Sequence, residues 1–433
     1  MLTKHYCFPG TTPGTDAKDT RYTFIDIETT GLKRDTTILY LIGCGYYEKD
    51  SLCIVQWFND DGVSEPAMLL ALRDFLMKHP TPLFTFNGES FDIPYLNRHY
   101  ELNHMDYRLD LTGSLDLYRM LRPFQTLFHL SHGKQKDWER FLGISREDLY
   151  NGGQLIGIYK KYLLKKDPEL LHLLLLHNME DIRGMEALLP LAAYESLLGG
   201  QFTVEGFTVS GDSSSANMTA DRLCSGNFAD QPPFPRLIAD CRLRKPLPKP
   251  LHAAADFTEK GFSLSDILSP GTENSSIPPL SSVDIDGQKM QITIPVVQGT
   301  LKYFYPDYKN YFYLPEEDRA IHKSVGCYVD SQFREKAKPA TCYIRKNGLF
   351  LPLFPQTKYK GIQTAQKSYA DSLTLYKNDY KDTCSFVELQ PLFHGNGDRA
   401  ENTGNGRHTS LANAYLCDYM KDVFISEMKK AAT

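Results

Sequence analysis

The chain has 433 residues, of which 42% are hydrophobic and 23% charged, and its net charge is -5. This length predicts two or three domains, and the composition argues against a disordered or membrane-embedded chain. No apolar run reaches the roughly 18 residues of a membrane-spanning helix. Residues 1–10 also lack the apolar segment of a secretory signal, so we expect a cytoplasmic protein.

Nine cysteines are scattered along the chain without any C-x-x-C pair. This distribution predicts reduced thiols and argues against a disulfide framework or a zinc site. The charge is uneven: residues 1–200 have a net charge of -6, the remainder has +1, and residues 301–360 contain 11 basic and 6 acidic side chains. A polyanionic partner is therefore compatible with the negative overall charge.

Short apolar strands alternate with helical segments over the first 200 residues. The periodicity predicts strands at residues 22–27, 38–46, 52–58 and 83–86. It predicts helices at residues 65–78, 94–102, 137–142, 155–164 and 168–188. This alternation indicates an α/β architecture for the first part of the chain.

The composition changes after Gly199 and Gly200 toward β-branched, aromatic, proline and serine residues. Six prolines between residues 232 and 250 predict an edge strand or an extended linker. Residues 262–286, rich in serine and proline, are predicted to be a mobile insertion. The pattern predicts strands at residues 291–297, 300–305 and 309–314, a hairpin of 341–345 with 349–354, and helices beginning at 315 and spanning 410–428.

These patterns divide the chain into four parts. We expect an N-terminal tail over residues 1–19 and an α/β domain over residues 20–200. Residues 201–288 form an extended or edge-strand region with the mobile insertion, and residues 289–433 form a β-rich α+β accessory domain. The predicted fold class is therefore α/β, followed by a β-rich α+β C-terminal domain.

The first chemical signal is Phe-Ile-Asp-Ile-Glu-Thr-Thr-Gly-Leu at residues 24–32. In a strand, Asp26 and Glu28 project from the same face, at the end where the chain meets a glycine turn. Neighbouring carboxylates repel each other, and a hard cation such as Mg²⁺ or Mn²⁺ relieves the repulsion. Two solvated acids at a sheet edge are an equally good interpretation of this segment alone.

The second signal is Phe-Asn-Gly-Glu-Ser-Phe-Asp-Ile-Pro-Tyr-Leu at residues 86–96. A strand ends at Phe86, and Pro94 is predicted to start a helix, which places Asp92 at a helix N-terminus. The Asn87 amide could hold Asp92 or a substrate phosphate. Taken alone, Asp92 could be a plain helix cap.

The third signal is His-Asn-Met-Glu-Asp-Ile-Arg at residues 177–183, late in a leucine-rich helix. His177 and Asp181 are four residues apart and therefore share a face, where both could address one metal-bound water. A surface histidine and aspartate on an amphipathic helix are the alternative. Glu180 is predicted to face solvent.

In this order, the three segments resemble the motifs of the DEDD, or DnaQ-like, 3′ to 5′ exonucleases, which have a ribonuclease H-like fold. Residues 86–96 are similar almost letter for letter to the second exonuclease motif of family-B DNA polymerases. Ser-Leu-Asp-Leu-Tyr at 114–118 and Glu-Arg-Phe-Leu-Gly-Ile at 139–144 resemble the YprB-like stand-alone branch. The resemblance covers about residues 20–195 and implies a mixed sheet flanked by helices.

The resemblance also implies roles for individual residues. The four carboxylates that would bind two Mg²⁺ or Mn²⁺ ions are Asp26, Glu28, Asp92 and Asp181. The residues that would contact substrate are Thr29 at the 3′ end, Leu32 against the terminal base and the motif asparagine, Asn87. His177 lies where the branch with this spacing has a tyrosine, so both a general-base role and a tyrosine-like hydrogen-bonding role remain open.

We therefore expect a metal-dependent 3′ to 5′ exonuclease that acts by a two-metal mechanism on nucleic-acid 3′ ends, with DNA favoured, in DNA repair or processing. One alternative is a ribonuclease of the same chemistry. The other is an inactive exonuclease-fold scaffold or nucleic-acid-binding module. The expected partners are nucleic acid and a helicase or repair protein, and no membrane.

Two further sets of residues could contact nucleic acid. Residues 301–314 contain seven aromatic side chains and two lysines, which could stack on unpaired bases or form a β-hairpin with alternate aromatics in the core. Lys134 and Lys136 could contact phosphates or simply lie on a solvated helix face. The glycine-rich segment 394–408 is predicted to be a mobile loop.

Overall fold

A computed structural model describes residues 1–9, 22–49, 51–210, 235–256, 280–365, 370–394 and 411–430. Most of the predicted insertion and of the glycine-rich segment 394–408 lies outside these residues. The chain forms two compact units. Unit 1 comprises Met1–Gln125 and His129–Tyr194, and unit 2 comprises Thr126–Phe128 and Glu195–Thr433.

The first part of the chain contains one six-stranded sheet. Its strands are β1 (Leu2–Pro9), β2 (Thr23–Thr29), β3 (Leu39–Glu48), β4 (Ser51–Phe58), β5 (Leu83–Thr85) and β6 (Leu115–Asp116). Their order is β1-β4-β3-β2-β5-β6. The β2–β5 and β5–β6 pairs are parallel and the others antiparallel, so the predicted mixed sheet is confirmed.

The same part of the chain also contains helices. They are α1 (Glu65–Lys78), α2 (Asp92–Leu102), α3 (Leu117–Leu127), α4 (Gln135–Leu142), α5 (Gly152–Lys165), α6 (Pro168–Ala187) and α7 (Ala193–Leu198), with a 3₁₀ turn at Leu189–Ala192. Those at Leu117–Leu127 and Ala193–Leu198 were not predicted, whereas the others correspond to predicted segments. Helix α6 begins with Asp167, whose side chain accepts a hydrogen bond from the Glu169 amide, and with Pro168 in its first turn. It packs against β2, β3 and β4, where it reaches the predicted site.

Two glycines on β3 allow α6 to approach the sheet closely. A Cβ atom at Gly43 would lie 2.1 Å from Asn178 Oδ1 and 2.5 Å from Ile182 Cδ1. A Cβ atom at Gly45 would lie 2.5 Å from Ile182 Cγ2. Because real Cβ atoms do not approach other atoms this closely, glycine at both positions sets the distance between helix and sheet.

The structure differs from two sequence predictions near the N-terminus. Leu2–Pro9, assigned to a tail, is the strand β1 that pairs with β4. Cys7 faces Cys53 across this pair, and the two form a disulfide with a Cα–Cα distance of 4.1 Å. The prediction of reduced thiols is wrong for this pair, because a sequence separation of 46 hides the proximity of the two cysteines in the fold.

Unit 2 is rich in β-structure, as predicted. A five-stranded antiparallel sheet has the order β7 (Phe202–Ser210), β8 (Arg236–Leu243), β11 (Lys289–Pro295), β10 (Leu280–Asp286) and β9 (Leu251–Asp256). A four-stranded sheet has the order β12 (Val297–Phe304), β16 (Tyr343–Leu353), β20 (Ser385–Glu388) and β19 (Leu375–Tyr376).

Smaller elements complete the described part of unit 2. A three-stranded sheet has the order β14 (Arg319–His322), β13 (Tyr311–Leu314) and β15 (Glu335–Lys336), and β17 (Lys358–Tyr359) pairs with β18 (Ile362–Gln363). The helices are α8 (Lys323–Gly326), α9 (Leu389–His394) and α10 (Leu411–Lys430), with 3₁₀ turns at Tyr308–Asn310 and Ser331–Phe333. No helix in the described ranges is long and apolar enough to cross a membrane.

Two local predictions in unit 2 are wrong. Instead of starting a helix, residues 315–318 turn the chain from β13 into β14, and Asp318 adopts a left-handed conformation with φ of 45°. Its carboxylate accepts hydrogen bonds from Tyr313 and Tyr343 and pairs with Arg345. The predicted hairpin around Asn347 is one continuous strand, because Asn347 pairs with Thr300 in the β12–β16 ladder.

The proline-rich region also differs from its prediction. β8 is the second strand of its sheet, between β7 and β11, and so it is not an edge strand. Pro246, Pro248 and Pro250 lie after it, where no ladder hydrogen bond is needed. Residues 280–286, the last part of the predicted mobile insertion, form β10 between β11 and β9.

Candidate metal centre

Acidic side chains from three elements of unit 1 meet beside the C-terminal end of β2. Asp26 and Glu28 lie on β2, Asp92 is the first residue of α2, and Asp181 lies late on α6. Asp92 Oδ1 accepts a hydrogen bond from the Ile27 amide at 3.1 Å, so its carboxylate lies beside the strand segment that carries the first two acids. The structure thus brings the four predicted carboxylates together.

Burial and neighbouring negative charges raise the pKa of three of these carboxylic acids. Burial, followed by the negative charges of Asp181, Glu28 and Asp92, raises the pKa of Asp26 well above its ordinary value. Burial and the charge of Asp181 do the same to the pKa of Glu28. Burial raises the pKa of Asp92 to about 7, although the Ile27 amide lowers it. Bound cations would reverse this repulsion and ionise the acids.

This result predicts how pH affects stability without metal. Because the pKa of Asp92 is about 7 in the folded protein against an ordinary value of 3.8, the folded state retains a proton that the unfolded chain loses. The free energy of unfolding should therefore fall as pH rises from about 4 to about 7. Urea unfolding with a chelator present measures this fall, which Asp92→Asn should reduce. An identical fall in the variant would contradict the prediction.

Asn178, which the sequence analysis did not single out, holds Asp26 in place. Its Nδ2 donates to Asp26 Oδ2 at 2.7 Å and to the Asp26 carbonyl at 3.2 Å. Its Oδ1 accepts from Gln56 Nε2 at 2.8 Å, and Asn178 is fully buried. A polar residue beside His177 in a leucine-rich helix was the available sequence signal, since buried amides normally have hydrogen-bond partners.

His177 lies among three carboxylates and is 6% exposed. Its Nε2 is 3.2 Å from Asp181 Oδ2 and 3.4 Å from Glu28 Oε1. On the other side of the ring, Nδ1 lies 2.6 Å from Asp148 Oδ2. The predicted face shared by His177 and Asp181 therefore exists and points toward Glu28 on β2.

Asp148 is a second residue that the sequence analysis missed. Lys136 Nζ lies 2.8 Å from Asp148 Oδ2 and donates to the Tyr150 carbonyl at 2.8 Å, so this partly exposed lysine holds Asp148 in place. Burial alone would raise the pKa of Asp148, but hydrogen bonds from Lys136, the Tyr150 amide and His177 lower it below the ordinary value. Asp148 is therefore an ionised acceptor for His177 Nδ1.

Glu180 positions the chain around Asp148, so the prediction that it faces solvent is wrong. Its two carboxylate oxygens accept hydrogen bonds from the Glu147 amide at 3.0 Å and the Asp148 amide at 2.8 Å. The α4–α5 connection approaches α6 closely enough for Glu180 to bind its backbone. Helix periodicity alone cannot show this approach.

Arg146 fixes the orientation of Asp181. It pairs with both oxygens of Glu139 and with Asp181 Oδ1. Gln135 Nε2 donates to the Asp181 carbonyl at 2.7 Å. Since Oδ1 is bound to Arg146, Oδ2 is the oxygen of Asp181 that faces His177. A Cβ atom at Gly184 would lie 1.9 Å from Glu139 Oε1, so glycine leaves room for this pair.

Tyr40 completes the surroundings of Glu28. Its hydroxyl donates to Glu28 Oε2 at 3.3 Å, and its ring stacks on Tyr159 with centroids 4.3 Å apart. Glu28 is thus held on one oxygen by Tyr40, and its other oxygen faces His177. No sequence pattern connects Tyr40 with Glu28, because they meet only through the β2–β3 pairing.

The residues predicted to contact substrate lie next to this centre. Thr29 ends β2, and its hydroxyl donates to the Gly31 carbonyl at 2.8 Å. Leu32 follows in the loop and is 81% exposed. Asn87 adopts a left-handed conformation with φ of 68°, and its backbone N–H donates to Asp116 Oδ1 at 2.9 Å. Their contacts with substrate stay predictions.

The aromatic segment of unit 2 does not form a hairpin. Its two halves belong to different sheets, since β12 pairs with β16 and β13 pairs with β14 and β15. All seven aromatic side chains are partly buried, and Tyr305 stacks on Tyr311 with centroids 4.6 Å apart. Arg345, a nearby cation, pairs with Asp318. Nucleic-acid binding by this segment stays a prediction.

A protein-family comparison agrees with this fold. Residues 23–192 match the family model RNase_H_2, described as RNase_H superfamily. No curated protein matches the chain in sequence. Among solved structures, the family B DNA polymerase of the hyperthermophilic archaeon Pyrobaculum calidifontis is 16% identical with a TM-score of 0.33, over 42% of this chain and 25% of the polymerase.

Two exonuclease I structures are also similar to the chain. A zinc-bound complex of E. coli exonuclease I with single-stranded DNA is 13% identical with a TM-score of 0.26, over 62% of this chain and 64% of that chain. Exonuclease I of Methylocaldum szegediense is 15% identical with a TM-score of 0.24, over 63% and 64%. The chain thus spans a quarter of the polymerase and just under two thirds of these exonucleases. From the family match and the mixed sheet, residues 23–192 have a ribonuclease H-like fold.

Proposed function

We propose that this protein is a metal-dependent nuclease that removes nucleotides from nucleic-acid 3′ ends, with DNA favoured over RNA. The observation that carries the proposal is the position of Asp26. Glu28 on β2, Asp92 on α2 and Asp181 on α6 lie close enough to raise the pKa of its carboxyl group. Buried acids that raise one another's pKa destabilise a fold unless something compensates. Divalent cations are the compensation that a phosphodiesterase requires.

The residues present fit such cations. Carboxylate oxygens are the ligands that Mg²⁺ and Mn²⁺ prefer, and Asp26, Glu28, Asp92 and Asp181 supply them beside the C-terminal end of β2. When bound, a pair of divalent ions would lower the pKa of a water and neutralise charge on the transferring phosphate. The two-ion arrangement and the direction of hydrolysis come from the resemblance to DEDD exonucleases and belong to the proposal.

Neighbouring side chains hold these carboxylates in position. Asn178 and Tyr40 hold Asp26 and Glu28, and Arg146 directs one oxygen of Asp181 toward the centre. Each carboxylate is therefore fixed before substrate arrives, which reduces the reorganisation needed during reaction. A role in DNA repair beside a helicase rests on the resemblance and is part of the same proposal.

Leu32 is the residue that we propose contacts the terminal base. Leu32→Ala is expected to raise KM for a 3′-ended strand several-fold with little change in stability, because an 81% exposed side chain contributes little to the core. Steady-state kinetics and a thermal melt measure both quantities. Leu164→Ala, which alters an 87% exposed leucine on α5, is the matched control. Equal KM values for the two variants would rule out this role for Leu32.

The proposed activity is tested with end-labelled substrates. Matched DNA and RNA strands, labelled at either end, are incubated with the wild-type protein and with Asp92→Ala, in Mg²⁺, in Mn²⁺ and in chelator. We expect metal-dependent shortening from the 3′ end by the wild type alone, faster on DNA. Preferential degradation of RNA would assign a ribonuclease. If no strand is degraded with either metal, the proposed activity is wrong.

A further inference from the structure

The hydrogen-bonding state of His177 constrains what its second nitrogen can do. Nδ1 lies 2.6 Å from Asp148 Oδ2 and is the nitrogen that forms a hydrogen bond with this carboxylate. Nε2, on the other side of the ring, faces Glu28 Oε1 and Asp181 Oδ2. A ring nitrogen and two carboxylate oxygens from different side chains thus face one another, which is how the donor atoms of a metal site are arranged.

The three atoms have the spacing of a ligand set. One ligand atom from each of Glu28, His177 and Asp181 lies within 4.8 Å of the others. The histidine and aspartate are four residues apart on α6, which places them on one helix face. The glutamate approaches from β2, so the donors come from two rigid elements.

The surroundings of Nδ1 give independent support. A histidine that binds a metal through one nitrogen usually donates its other N–H to a carboxylate, which fixes the tautomer and the ring orientation. Asp148 has this position, and it is itself held by Lys136 and by the Glu180 contacts to the backbone of residues 147–148.

We propose that His177 binds one of the metal ions directly through Nε2, together with Glu28 and Asp181, and that Asp148 is its positioning residue. This inference rests on the proposed function and specifies the metal of that site. A nitrogen ligand favours a divalent transition-metal ion over Mg²⁺, which takes oxygen ligands almost exclusively. The centre therefore prefers Mn²⁺ to Mg²⁺.

Pulsed electron paramagnetic resonance of the full-length protein with Mn²⁺ alone tests this binding mode. We expect a coupling between bound Mn²⁺ and a ¹⁴N nucleus that changes to a ¹⁵N coupling when histidine is ¹⁵N-labelled. This comparison uses the wild-type protein and so does not depend on the folding of a variant. His177→Gln should remove the coupling, whereas His172→Gln, which alters an exposed histidine of α6, should retain it.

Calorimetric titration supplies a second readout. We expect Asp148→Asn to weaken Mn²⁺ binding by about 10- to 100-fold, the usual effect of removing the carboxylate behind a histidine ligand. Mg²⁺ binding should change less, because it depends on the oxygen ligands. Thermal melts without metal check that each variant is folded.

The possible failures are distinguishable. If Mn²⁺ binds and Asp26→Asn weakens the binding, but no nitrogen coupling is detected, His177 is not a ligand and the proposed nuclease still has a carboxylate centre. If neither Mn²⁺ nor Mg²⁺ binds, the proposed function fails as well.

Discussion

Asp26→Asn is expected to reduce nuclease activity severely and, at the same time, to make the metal-free protein harder to unfold. Asp26 is surrounded by Glu28, Asp92 and Asp181, and burial together with these charges raises its pKa. An amide of the same shape removes one charge from this repulsion and can still accept the hydrogen bond from Asn178. Without metal, the variant should therefore be more stable than the wild type at neutral pH.

Bound metal should favour the wild type over the Asp26→Asn variant in both activity and stability. Removing a carboxylate ligand should lower the rate of hydrolysis by about 1,000-fold, which corresponds to ~4 kcal/mol of transition-state stabilisation. Mn²⁺ should raise the melting temperature of the wild type more than that of the variant, because a ligand stabilises the state that binds it. Melting curves with Mn²⁺ and with chelator, together with single-turnover hydrolysis, measure both effects.

Asp74→Asn is the control for this experiment. Asp74 is exposed on α1 and pairs with the adjacent Arg73, so its replacement should change stability by no more than about 0.5 kcal/mol and leave hydrolysis unchanged. An Asp26→Asn protein that is less stable than the wild type in chelator would show that Asp26 is not under electrostatic strain.

The second large effect is expected from Gly43→Ala. The new Cβ would lie 2.1 Å from Asn178 Oδ1 and 2.5 Å from Ile182 Cδ1, so α6 or β3 must move. Overpacking of this kind typically costs about 1–3 kcal/mol of unfolding free energy. Since Asn178 also binds Asp26, the shift should displace a metal ligand and reduce activity beyond the loss of folded protein.

Urea unfolding gives the stability change, and hydrolysis per folded molecule gives the change at the site. Gly157→Ala on α5 is the matched control, because no atom lies within 4 Å of its added Cβ. That substitution should stabilise the protein by about 0.5–1 kcal/mol, since alanine is the better helix former. Gly43→Ala with unchanged stability and activity would show that the β3–α6 contact adjusts freely.

Most strands and helices of unit 1 were predictable because its sequence has clear periodicity, whereas β1, β6 and α3 were not predicted. Strands and helices alternate, and Asp167 with Pro168 indicates the beginning of α6. The same periodicity placed Asp26 with Glu28 on one strand face and His177 with Asp181 on one helix face. The supports of the site were not predictable, because Asp148 and Arg146 lie in an irregular segment between helices. Their contacts with α6 depend on tertiary packing alone.

Unit 2 shows why local signals fail elsewhere. Asn347 and Gly348 form a strong turn signal, but the ladder with β12 extends through them. Acids after Pro315 favour a helix start, yet the Asp318 carboxylate is used by two tyrosines and an arginine. In both places, pairing with distant residues outweighs the short-range preference.

Four residues within a five-residue segment of helix α6 make contacts at the site. His177 faces Glu28, Asn178 binds Asp26, Glu180 binds the Asp148 amide, and Asp181 pairs with Arg146. Each additional residue in a helix rotates everything after it by about 100°. A single insertion or deletion in the leucine run before His177 would therefore turn all four side chains out of register at once. The length of this run is therefore constrained more strictly than its composition. A change in length preserves the direction of the four side chains when it adds or removes whole helical turns.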